Sequence, residues 1–172
     1  MKSPVSYLTD EAYSKLPAVE RALHQARSQV GQEEKPRGSN WGGMVTEYIK
    51  STGLNVACFW CAAYVTWCLK QAQYSGKLPK HRASTYYWYV FGKENNILHK
   101  TPQRNDLFVW NNDGGGHIGW VIRVNGNRFW TLEGNSNNDG SRNGYKVVEH
   151  ERTIESLKKN KRWGFIRLGE LK

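Results

Sequence analysis

Cysteine, acidic side chains and long apolar runs are all scarce in this sequence, and each scarcity removes a class of protein. Three cysteines occur, Cys58, Cys61 and Cys68. An odd number confined to one short stretch is not a disulfide framework. The longest nearly unbroken apolar run, Val56 to Leu69, is interrupted by Thr66 and is too short to cross a bilayer. Residues 1–15 hold no apolar core of the signal-peptide kind and carry Asp10 and Glu11 early, so a cleaved secretory leader is not expected. Acidic residues number 15 against 25 Lys and Arg, a formal net charge of +10 over 172 residues. That length fits one domain, able to bury roughly 70% of the surface its unfolded chain exposes. Mean hydropathy of -0.73 fits a water-soluble globule. Aromatics, in contrast, are plentiful, with 8 Trp, 9 Tyr and 5 Phe. Together with the positive charge they suit a ligand with flat faces and negative groups, either nucleic acid or a carboxylate-bearing glycan.

Helix signals come first along the chain. Thr9-Asp10-Glu11 reads as a helix start, and Pro17 opens a second helix whose stripe is Val19, Ala22, Leu23, Ala26 and Val30, ended by Gly31. Residues 31–43 are polar and glycine-rich and read as a loop. A short helix over Met44 to Ile49 stops at Gly53, and a buried helix starts at Cys61. Residues 77–104 read as irregular, with one helical turn around Tyr86 to Phe91. Then the period changes to two, predicting strands at 107–110, 117–124, 128–133, 145–150 and 163–168. Turn signals at 111–114, 125–126 and 138–140 separate them. The order predicts an α+β fold with N-terminal helices packed on a C-terminal antiparallel sheet. Residues 1–172 form a single domain with a helical extension over about residues 1–30.

Cys61 stands at the first turn of its helix, where unpaired N–H groups favour a thiolate and can hold an oxyanion. His117 opens a strand after Asp113-Gly114-Gly115-Gly116 and can project as a base. Glu133 and Asn135 follow at the end of the next strand, and either can accept the second imidazole N–H. Cys58-Phe59-Trp60-Cys61 has the form of a C-x-x-C motif but lacks the strand that precedes it in redox proteins. Zinc ligation has no second ligand pair, and residues 135–140 lack the carboxylates of a calcium loop. No metal or cofactor is expected. The basic group Lys158, Lys159, Lys161 and Arg162 reads as a solvated face.

Trp60-Cys61-Ala62-Ala63-Tyr64-Val65, Gly116-His117-Ile118-Gly119 and Glu133-Gly134-Asn135, in that order, resemble the CHAP domain amidases and endopeptidases, within the NlpC/P60 and papain-like group of peptidoglycan hydrolases. The resemblance implies Cys61 as nucleophile, His117 as general base and acid, Glu133 as its orienting group and Asn135 as a further polar member of the site. Gly38-Ser39-Asn40 is similar to the loop before the catalytic helix, which nominates Asn40 for substrate contact. Asn55 is a candidate oxyanion donor, and Trp60 and Trp120 are candidate sugar-stacking faces. The implied activity is cleavage of a peptidoglycan amide bond, by an amidase or an endopeptidase. The implied setting is a phage-type lysin or an injected antibacterial effector, cytoplasmic in the producer and acting on the wall after release. An effector would have an immunity protein as partner; membrane and nucleic acid are not expected as partners, and the chain is expected to be monomeric. The rival reading is a basic, aromatic module that binds nucleic acid or glycan without catalysis.

Overall fold

The computed structural model describes residues 9–139 and 143–171. The first part of the leader reading and Gly140 of the 138–140 turn lie outside them. Among the described residues six α-helices, α1 (Asp10–Ser14), α2 (Ala18–Ser28), α3 (Met44–Ser51), α4 (Cys61–Gln71), α5 (Thr85–Glu94) and α6 (Ile154–Lys158), accompany strands β1 (Leu98–His99), β2 (Leu107–Asn112), β3 (Gly115–Asn125), β4 (Arg128–Ser136), β5 (Lys146–Thr153) and β6 (Arg162–Ile166). The sheet has the order β1-β6-β2-β3-β4-β5 with antiparallel pairing. The architecture is therefore the α+β arrangement that the sequence order implied.

Alternation along the strands separates two apolar layers. Leu107, Val109, Trp120, Leu132 and Ile166 pack with α2, α3, α4 and α5, while Phe108, Val121, Phe129 and Phe165 form a smaller cluster with Ile154 and Leu157 of α6. Helix α4 is buried along most of its length. Ala22 and Ala26 let α2 lie close to it, and the Tyr64 hydroxyl donates to the Ala26 carbonyl at 2.7 Å. Residues 18–28 thus belong to the core instead of extending from it.

The differences from the sequence reading have physical causes. Helix α2 stops at Ser28, and Val30 is left half exposed, because the chain turns to run beside β5. The Gly31 N–H donates to the Val147 carbonyl, and the Glu34 N–H to the Tyr145 carbonyl. Part of the expected 31–43 loop therefore covers a strand edge that would otherwise be unpaired. In residues 77–104 a full helix forms, because Trp88, Phe91 and Gly92 are buried under a run of aromatics too dense to show a period. Strand β3 begins two residues before His117, with Gly115 and Gly116 paired to Asn112 and Asn111. The short elements β1 and α6 were not legible in the sequence.

Gly134 sets the distance between sheet and helix. A Cβ built there would lie 2.8 Å from both Trp60 Cζ3 and Tyr64 Cβ. Gly134→Ala should therefore lower the stability by about 1–3 kcal/mol, read as a shift in urea midpoint at constant slope; an unchanged midpoint would contradict this packing.

Candidate active site

Cys61 is the first residue of α4 and is almost fully buried. No side chain caps the helix, so the first-turn N–H groups are left for whatever lies in front of it. Trp60 fixes this end. Its ring is fully buried against Tyr48, with centroids 5.7 Å apart, and its Nε1 donates to Glu34 Oε1 at 2.9 Å. Glu34 is buried too, and its second oxygen accepts from the Gly38 N–H at 2.7 Å.

His117 comes from the start of β3, beside the rings of Phe108 and Trp110. Its Nε2 lies 2.8 Å from Glu133 Oε2, and Cys61 stands close enough to help hold a proton on the ring. With Nε2 taken by the carboxylate, Nδ1 is the nitrogen left for the thiol. Gly119 makes the first contact possible. The register that pairs Trp120 with Leu132 sets Gly119 opposite Glu133, and a Cβ on Gly119 would meet Glu133 Cγ at 3.0 Å and Phe108 Cε1 at 2.7 Å. The missing side chain lets the carboxylate pass across the strand to His117.

Glu133 has no solvent exposure and is saturated with donors. Arg152 donates through Nε to Oε1 at 2.5 Å and through Nη2 to Oε2 at 2.6 Å, and the Thr131 hydroxyl donates to Oε1 at 2.5 Å. Burial works to raise the Glu133 pKa, but the charge and hydrogen bonds of Arg152, followed by those of His117, hold it well below the usual carboxylate range. For His117, burial disfavours the charged ring, yet the hydrogen bonds to Cys61 and Glu133 and the charges behind them prevail and lift it to about 9. Burial pushes the Cys58 thiol up, with Cys61 adding to the effect, and pushes the fully buried Cys68 up further. Neither favours the thiolate that a nucleophile or redox thiol requires.

A cleft of about 650 Å³ opens beside Cys61, lined by Leu54, Phe59, residues 80–85, Tyr87, Gly115 and Gly116 among others. Residues 51–135 match the family model described as the CHAP domain. The chain carries a CHAP domain. Comparison with curated proteins and with solved structures gave no match. A CHAP domain indicates a hydrolase acting on peptidoglycan, and Cys61, His117 and Glu133 all fall inside the matched segment.

The other candidates fare differently. Asn135 does not share a face with Glu133, because a bulge between Glu133 and Ser136 breaks the two-residue period and brings Ser136 to that side. The Ser136 hydroxyl approaches Glu133 Oε2 at 3.5 Å and His150 Nε2 at 2.9 Å, whereas Asn135 Oδ1 is buried without a hydrogen-bond partner. Trp60 and Trp120 are fully buried and cannot stack on a substrate. Asn55 is exposed and Asn40 half-buried, and neither lines the cleft. Sequence reasoning missed Arg152, Thr131 and Ser136. The spacing of His150 and Arg152 would have put them on one face of β5, but nothing local showed that β5 lies beside β4.

Arg152→Met should strip the buried Glu133 carboxylate of its bidentate partner and cost about 3–5 kcal/mol, with Arg152→Met/Glu133→Leu recovering much of the loss. The pH dependence has a definite sign. Because the folded Glu133 pKa is depressed, its contribution is present above the unfolded value of about 4.3 and is lost as pH falls below it. Urea midpoints of wild type and Glu133→Gln should converge from pH 6 to pH 3; parallel curves would contradict the depressed pKa.

Proposed function

We propose that the protein is a cysteine hydrolase that opens an amide bond of peptidoglycan, with Cys61 as nucleophile, His117 as proton carrier and Glu133 as positioning residue. What supports the reading is one observation above all: within a segment matching the CHAP domain, a helix-terminal thiol, an imidazole and a buried carboxylate stand in succession, the imidazole bonded to the carboxylate and held protonated with help from the thiol beside it.

Each step uses groups already described. With its proton already held on Nδ1 of the His117 imidazolium, Cys61 Sγ attacks the amide carbon as the thiolate. The oxyanion faces the free N–H groups at the start of α4. The His117 imidazolium then gives its proton to the leaving amine, and the C–N bond breaks to leave a thioester. Water, deprotonated by His117, attacks the thioester; the carboxylic acid product departs and Cys61 is regenerated. Glu133 stays ionised throughout, keeping the Nε2 proton on its own side of the ring and Nδ1 toward sulfur.

The test is digestion of purified peptidoglycan, with fragments identified by mass spectrometry. Wild type should release fragments and Cys61→Ser none, and the new termini distinguish amidase from endopeptidase cleavage. Glu133→Gln should lower kcat by roughly 10²–10⁴-fold by freeing the imidazole orientation. Fragment release by Cys61→Ser at the wild-type rate would overturn the mechanism.

A further inference from the structure

Exposed apolar side chains are not scattered over this protein. Six large ones are exposed among the described residues, and all but Val30 fall in two short segments: Leu54, Val56 and Phe59 ahead of α4, and Tyr86 and Tyr87 in the first turn of α5. Leu54, Phe59 and Tyr87 line the cleft beside Cys61. Tyr86 lines a second pocket of about 390 Å³, which shares Asn111 and Gly115 with the cleft and is edged by Asn112, Asp113 and Arg162. Single exposed apolar residues need no explanation, but a group of them around one groove marks a surface for a ligand. The cleavage chemistry uses none of them.

The two tyrosines are braced in place. The Asn111 side chain, itself buried, donates to Thr85 Oγ1 at 3.0 Å and ties the first turn of α5 to β2. Tyr86 and Tyr87 meet edge to face with ring centroids 5.7 Å apart, Tyr87 meets His81 in the same way at 4.3 Å, and the Arg162 guanidinium lies 5.4 Å from the centre of the Tyr86 ring. Even so, Tyr86 is 43% and Tyr87 40% exposed. Rings already held in position lose little freedom when a ligand settles on them. The adjoining pocket is polar, with Asp113 paired to Lys161 and Arg162 at its edge. A wholly apolar ligand would strip water from these groups and return no hydrogen bond. A pyranose ring, whose apolar C–H face is rimmed by hydroxyl and amide groups, satisfies both the aromatic faces and the polar edge.

We propose that Tyr86 and Tyr87, with the polar groups around Arg162, form a sugar subsite adjoining the Cys61 cleft, which selects stem peptides still attached to their glycan over free peptides. The inference rests on the hydrolase reading and deepens it, because it assigns the substrate preference of the same cleft to residues outside the Cys61–His117–Glu133 line. Because the cleft and the second pocket share Asn111 and Gly115, one ligand can place a sugar on the tyrosines and its peptide beside Cys61.

The probe is the peptide-free disaccharide repeat of peptidoglycan, titrated into Cys61→Ala and followed by backbone amide shifts, with the sugar-free stem peptide as the comparison ligand. The disaccharide should bind and move the amides of Tyr86, Tyr87 and Asn112. Adding Tyr86→Ala and Tyr87→Ala should weaken it by about tenfold or more, and Tyr86→Phe with Tyr87→Phe should keep the affinity, because the ring faces make the contact. Both side chains are exposed, so the urea midpoint of each variant should stay at the parent value and rule out unfolding as the cause. Absence of disaccharide binding, or equal affinity in the alanine variant, would overturn the subsite. Weaker binding of the peptide with unchanged binding of the disaccharide would assign the rings to peptide and overturn it as well. No bond is cut in the titration, so its outcome is independent of the digestion that tests the hydrolase reading.

Discussion

A single carboxylate, that of Glu133, organises the centre of this protein. It is closed off from water and holds a negative charge because Arg152 grips both of its oxygens and Thr131 donates to one of them. An ion buried in this way is tolerated only with its partners in place. The strand order β3-β4-β5 follows as a requirement: His117 must arrive from one side and Arg152 from the other. Gly119 follows as well, since any side chain there would stand between Glu133 and His117.

The second constraint is the fit of α4 to the sheet. Trp60, bonded to the buried Glu34, and Tyr64, bonded to α2, hold the helix against Gly134. With the helix fixed, its unfinished N-terminus and the thiol at its first position face the imidazole. The N-terminal residues therefore contribute to the site without touching it: Ala22, Ala26 and Glu34 secure the element that carries the sulfur.

Much of this was legible in the chain. Helices before strands gave the α+β class, and the ordered motifs around Cys61, His117 and Glu133 carried the resemblance that the family match bears out. Those residues are readable because each lies in a local context, a helix start or a strand between glycines. Arg152 was not readable, because its role depends on a strand neighbour that no local pattern reveals. Asn135 was misplaced because one extra residue in β4 shifts every later side chain to the opposite face. Trp60 and Trp120 were assigned to the surface on chemical type alone, whereas the packing of α4 on the sheet buries both. Helix α5 was hidden for another reason: in a run such as Tyr86-Tyr87-Trp88-Tyr89, the helical period has no polar residues against which to show.

The most direct measurement is the titration of the His117 ring by nitrogen-detected NMR in wild type and Cys61→Ala. The geometry requires a midpoint near 9 in wild type, with a downward shift once the sulfur is removed, since Cys61 and Glu133 together overcome the penalty of burial. A wild-type midpoint at the ordinary histidine value of about 6.5, unmoved by Cys61→Ala, would contradict the coupling of Glu133, His117 and Cys61 on which the account stands.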